Sequence, residues 1–278
     1  MIHRRPAWQR VGRGLGLLCF LVFALFPLYW MVLTSLKPTQ ELFSHNINYW
    51  PLNPSLQHYL GVLRRTSFPV YFRNSLLVAG ITSLTVLVIS IFGGYAIARF
   101  RFKGRQASLM ILLATQMFPG VILVSPIFIL FAKMHLLNTL VGLILIYVTL
   151  NIPFAVFLMR GYFESVPVEI EEAAHIDGCS RVAAIWRVLV PSLWPGLVAT
   201  IVFVFTAAWS EMIFAIMFIN SEGLKTVPVG LTMFVSKFNV DWGMMMAAAT
   251  LALIPVAILF GFIQRYLVQG LTMGAVKG

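Results

Sequence analysis

Six apolar runs, each long enough to cross a bilayer, occur at residues 15–36, 71–98, 108–131, 140–159, 197–219 and 244–268. A helical crossing needs about 20 mostly apolar residues, and a lipid-exposed backbone must satisfy its own hydrogen bonds. The runs therefore predict an all-α polytopic membrane protein with six transmembrane helices, forming a single transmembrane domain over residues 1–278. Composition agrees. Hydrophobic residues make up 60% and charged residues 10%, against about 45–50% and about 25% in soluble domains. Mean hydropathy is +0.90. The first run follows several arginines, but it lacks a small-x-small cleavage site and is too long for a signal peptide. It is predicted to be an uncleaved helix.

The net charge of +11 would point to nucleic acid in a soluble chain. Here the positive-inside rule and anionic lipid headgroups account for it. Arg4, Arg5, Arg10 and Arg13 precede the first run, and Arg99, Arg101, Lys103 and Arg105 crowd the short loop after the second. The loop between the third and fourth runs carries only Lys133. This asymmetry predicts cytoplasmic termini, a cytoplasmic loop over 160–196 and a cytoplasmic tail over 269–278. Outer loops follow at 37–70 and 220–243. Lys37, Arg64, Arg65 and Arg73, in or beside the first outer loop, argue the other way; the dense short loops outweigh them. Cys19 then falls in a span and Cys179 in a cytoplasmic loop, so no disulfide is expected.

The stretch 164–196 stands apart from its apolar flanks. Five of the nine acidic residues lie in it: Glu164, Glu169, Glu171, Glu172 and Asp177. Its order of Pro, helix formers, Gly, helix formers and Pro predicts two short helices with a sharp turn. Pro167 suits a first helical turn and Gly178 the left-handed residue that ends a helix. Ser180 suits the cap of the next helix, and Pro191 its stop. A helix-turn-helix on a membrane face is a lever fit to pass force from a soluble partner to the spans.

No G-x-x-x-x-G-K-[ST] phosphate loop is present, so ATP is not bound by that route. The histidines are scattered without metal-ligand spacing. Within the spans Glu211 is the main ionisable residue, and an intramembrane carboxylate is a functional candidate; the alternative is a place near the outer interface or a bond to a neighbouring helix. Thr115, Gln116 and Asn151 at mid-span, with Ser210 and Glu211, are candidate translocation-pathway residues, interhelix hydrogen bonding being the competing reading. Trp209 reads as an interfacial anchor. Pro119, Pro126, Pro153 and Pro255 are expected to break spans. Gly93 and Gly94 mark a close-packing face.

Taken together, these residues resemble a family. Glu172-Ala173-Ala174, then Asp177-Gly178, then Val188-Leu189-Val190-Pro191, resembles the EAA loop of ABC-importer permeases. Val188 and Val190 depart mildly from the usual Ile and Leu. Pro-Leu-Tyr-Trp-Met (27–31), Thr-Ser-Leu-Lys-Pro (34–38), Ala-Ile-Ala-Arg-Phe-Arg-Phe-Lys-Gly-Arg (96–105), the segment 138–145 and the tail 270–278 are similar to maltose-type carbohydrate permeases, specifically the smaller six-span subunit of the heterodimer. The resemblance implies an ABC type I importer permease fold in a bacterial or archaeal inner membrane. It implies a second homologous permease, two cytoplasmic ATPases and an extracytoplasmic sugar-binding protein as partners. ATP and Mg would be bound on the ATPases, with no cofactor on this chain, which would not itself be an enzyme. Glu171, Glu172, Ala173, Ala174, Asp177 and Gly178 would couple to an ATPase. Thr272, Gly274 and Lys277 would reach the ATPase interface, and Thr232, Phe234 and Phe238 would meet the binding protein. Import of a polyol or glycerol phosphate is the alternative within the class. A proton-coupled secondary transporter is disfavoured by how little charge the spans bury.

Overall fold

The computed structural model describes residues 7–44, 48–236 and 240–275, with side chains from 12 to 264 within those segments. Helices dominate: α1 (Ala7–Leu36), α2 (Gln57–Arg65), α3 (Phe68–Arg99), α4 (Arg105–Met117), α5 (Gly120–Lys133), α6 (Leu140–Ser165), α7 (Val168–Ile176), α8 (Arg181–Ser192), α9 (Trp194–Ser210), α10 (Ile213–Phe218), α11 (Val227–Leu231) and α12 (Trp242–Ala275). Among the described residues, extended pairing is limited to one bridge between Val235 and Val240.

Among the described residues, four helices are long and apolar enough to cross a membrane: Gly12–Leu36, Phe68–Arg99, Leu140–Ser165 and Trp242–Gln264. Two bent pairs, α4 with α5 (99°) and α8 with α9 (83°), bring the number to six if each is one span. The third expected span is therefore broken. Pro119 forces Phe118 out of the helical region (φ −78°, ψ 124°), as proline does to the residue before it. The fifth expected span also ends early. Glu211 is extended (φ −71°, ψ 126°), and α10 restarts at Ile213. By contrast, Pro126, Pro153 and Pro255 lie inside helices that continue through them, contrary to the sequence expectation. Neighbouring turns and helices in a membrane bundle can absorb one missing backbone bond.

The chain divides into two compact units. The first comprises Met1–Phe68 and Leu231–Leu253. In it α2 buries His58, Gly61 and Val62. His58 Nε2 lies 3.0 Å from the Lys37 carbonyl oxygen. Along α1, Leu17, Phe20 and Phe23 stand exposed.

The second unit comprises Pro69–Gly230 and Ile254–Gly278. Its core joins α3 and α6 to α8 and α9 through Ile91, Tyr95, Met159, Phe163, Ile185, Leu189, Leu193 and Leu197. Gly94 is required here. A Cβ on it would sit 2.8 Å from the Arg160 backbone nitrogen, so α3 and α6 meet almost backbone to backbone, the packing that small residues permit. The α5–α10 contact is aromatic, with the Phe131 and Phe218 rings 5.1 Å apart.

Candidate coupling site

The acidic loop is built by local backbone chemistry. α6 ends at Ser165, and Val166 and Pro167 are extended. Glu169 and Glu171 occupy the first turn of α7, where carboxylates favour the positive end of the helix dipole. α7 closes in a Schellman motif. Cys179 N donates to Ala174 O at 2.9 Å and Gly178 N to His175 O at 3.0 Å, with Gly178 left-handed at φ +84°. This is the C′ position that favours glycine. Ser180 Oγ accepts from Ala183 N at 3.3 Å and caps α8. Pro191 does not stop the helix. A π-helical turn at Ile185–Leu189 precedes it, and the bend falls after Ser192. A π-turn widens the ladder where proline would crowd the preceding turn.

α7 has two faces of different character. Glu171 and Ala174 are turned inward and buried. The Tyr95 hydroxyl donates to Glu171 Oε1, and Arg99 Nε lies 3.0 Å from Glu171 Oε2. Arg99 Nη2 also donates to Val166 O at 2.9 Å. His175 Nε2 is 3.8 Å from the same carboxylate. Nearby, Glu164 bridges Arg105 (3.2 Å) and Arg160 (2.8 Å), and the Arg181 guanidinium lies over the Phe100 ring at 5.1 Å. The opposite face presents Glu169, Glu172, Ala173 and Ile176, spaced as one helical stripe, with Asp177 and Gly178 at its end; all are exposed. Ile176, 86% exposed, is absent from the sequence-derived set. Its signal is an apolar residue closing an acidic helix on the outward phase.

The candidate pathway residues separate into two kinds. Glu211 spans the break between α9 and α10. Its carboxylate accepts backbone N–H groups from Ile213 (2.8 Å), Phe214 (3.1 Å) and Ala215 (3.3 Å), and the Tyr147 hydroxyl at 2.7 Å. It is a cap and a crosslink to α6. Gln116 Nε2 donates to Leu150 O at 3.3 Å, next to Asn151, whose amide donates to Tyr147 O at 2.8 Å. Glu211, Gln116 and Asn151 are thus drawn to one stretch of α6. Thr115 and Ser210 bond only to carbonyls of their own helices, at Leu112 (2.7 Å) and at Thr206 (2.8 Å) and Ala207 (3.5 Å). Trp209 is not an interfacial anchor. It is buried, stacked on Phe205 (centroids 5.6 Å apart) and edge-on to Phe72 (5.5 Å).

The family model for the binding-protein-dependent transport system inner membrane component matches residues 87–273, which contain the whole of α7 and α8. The chain belongs to this permease family. The permease protein of the diacetylchitobiose uptake system of Streptomyces coelicolor is 37% identical over 275 residues, covering 99% of this chain and 100% of the relative. The trehalose/maltose transport system permease protein of Thermococcus litoralis is 34% identical over 279 residues, covering 99% of each. A solved bacterial ABC transporter involved in import of the acidic polysaccharide alginate shares the fold, with a TM-score of 0.82 at 23% identity over 96% of this chain and 99% of that chain.

Two further regions of the permease bear on the expected contacts. Between α11 and α12, Thr232–Phe234 forms a single 3-10 turn, with Thr232 exposed and Phe234 half-buried; Phe238 lies outside the described residues. At the C-terminus the expected tail is helical over most of its length. α12 continues to Ala275 and includes Thr272 and Gly274 in its backbone, whereas Lys277 lies outside the described residues. The small-residue run from Gly270 is thus carried, as far as Ala275, as the extension of a long helix.

Proposed function

We propose that this permease carries a sugar or oligosaccharide into the cytoplasm as one half of a heterodimeric translocation pore, driven by two partner ATPases. The sugar reading is supported by full-length similarity to permeases whose names specify diacetylchitobiose and trehalose/maltose uptake. The observation that carries the coupling role is the two-faced helix α7: Glu171 and Ala174 tie it inward, leaving Glu172, Ala173, Ile176 and Asp177 as an outward docking stripe. Small Ala173 lets a partner backbone approach, Ile176 supplies an apolar knob, and Glu172 and Asp177 supply charge partners for basic groups. ATP and Mg belong to the ATPases; this chain contributes the lever and part of the pathway. Both termini and the acidic loop face the cytoplasm, where Thr272, Gly274 and Lys277 approach the ATPases. Thr232, Phe234 and Phe238 meet the extracytoplasmic binding protein on the other side, and lipid surrounds α1.

The test is purification of the permease with its native partners. ATPases should co-purify, and the binding protein loaded from a panel of disaccharides should stimulate ATP hydrolysis. Stimulation by a polyol or glycerol phosphate in place of every sugar would reassign the solute. Absence of any ATPase from the complex would sink the reading.

A further inference from the structure

α3 is one continuous helix of 32 residues, about 48 Å long at about 1.5 Å per residue. It is held by buried polar contacts at both ends. At its last residue, the Arg99 guanidinium grips α7 twice, through Glu171 (3.0 Å) and the Val166 carbonyl that leads into α7 (2.9 Å). The two side chains are only 10% and 9% exposed. One turn earlier Tyr95 donates to the same carboxylate, and its ring packs edge-on to Phe163 at 5.6 Å. A fork that holds two acceptors resists both sliding and rotation. Moving α7 without α3 would leave a buried charge unpaired, which a protein interior strongly disfavours. At the opposite end, Asn74 Nδ2 donates to the carbonyls of Gly223 (2.9 Å) and Lys225 (3.0 Å). Ser75 Oγ accepts from Val227 N at 2.8 Å, and the Tyr71 hydroxyl donates to Glu222. All of these residues lie in one compact unit.

We propose that Arg99 is a positioning residue that makes α3 a rod, carrying displacement of α7 on one side of the membrane to the segment 220–230 on the other. This rests on the proposed coupling role of α7. It adds a specific transmission element, a rigid helix clamped at both ends, in place of displacement spread through the bundle.

The test follows the far end directly and needs no transported solute. Cys19 and Cys179 are replaced by serine, and Gly223→Cys places a thiol at an exposed site with open space around it. Its labelling by fluorescein maleimide is timed in the full complex, with and without ATP, Mg and vanadate. The expected result is a nucleotide-dependent change in labelling rate of about fivefold or more, lost when Arg99→Gln is added. A residue with only a local structural role would alter abundance or the resting labelling rate, but not the response to nucleotide. If Arg99→Gln lowers assembly, Arg99→Lys replaces it, since it keeps the charge beside Glu171 but loses the fork that holds two acceptors. A nucleotide response that survives in the assembled variant, or that is absent from the parent despite active hydrolysis, overturns the proposal. A complex without ATPases contradicts the functional reading itself.

Discussion

Substitution of Gly178 isolates the turn that gives the acidic loop its shape. No atom lies within 4 Å of where a Cβ would be, so a new side chain meets only its own backbone, held at φ +84°. An L-residue in the left-handed region is disfavoured by about 1–2 kcal/mol. Gly178→Ala should therefore lower the ratio of formed to unformed turn by about 5–30-fold. Asn tolerates this region better than Ala, so Gly178→Asn should fall between Gly and Ala. Gly178→Pro is qualitatively different. Its ring fixes φ near about −65°, and it removes the N–H that reaches His175 O at 3.0 Å, worth about 1 kcal/mol more. The assay is ATPase co-purification and stimulated hydrolysis, normalised to permease abundance in the membrane. The expected order of coupling is Gly, Asn, Ala, Pro, with abundance unchanged. A Pro variant that couples normally would refute the role of the turn. Ala matching Pro at full abundance would show that backbone conformation is not what the site requires.

Three further outcomes follow from the same geometry. Glu172→Lys, which inverts a charge on the exposed stripe, should weaken ATPase co-purification while leaving insertion intact, as read by pull-down at low and high salt. Glu211→Ala frees three backbone N–H groups and the Tyr147 hydroxyl; it should destabilise the purified permease by about 1–3 kcal/mol, seen as a lower thermal unfolding midpoint, and a wild-type midpoint would remove the cap from the account. Replacing 232–239 with a Gly/Ser linker should preserve assembly and basal hydrolysis but slow release of sugar from the binding protein at limiting ATP; normal release kinetics would leave that segment a connector.

Local determinants are legible in the order of residues. Gly178 and Ser180 sit next to the backbone groups they serve, so their turn and cap were readable from order alone. The inward role of Glu171 was not, because its partner Arg99 is 72 positions away and adjacent glutamates look alike until the helix phase is known. Hydropathy also concealed the breaks. Averaging over 197–219 absorbs Glu211, although a carboxylate just before an apolar helix is a capping signal. Pro119 breaks its span while Pro126, Pro153 and Pro255 do not, a distinction that the presence of a proline alone does not carry. Trp209 beside Ser210 and Glu211 looked interfacial by its neighbours; only packing against Phe72 and Phe205 shows it to be core.

The most direct measurement is solute uptake by proteoliposomes holding the permease, its partner permease and the ATPases, with ATP sealed inside and sugar-loaded binding protein outside. The expected result is accumulation of radiolabelled sugar that requires internal ATP, requires the binding protein and is insensitive to a protonophore. Uptake by this chain alone, independent of ATP and abolished by the protonophore, would contradict it.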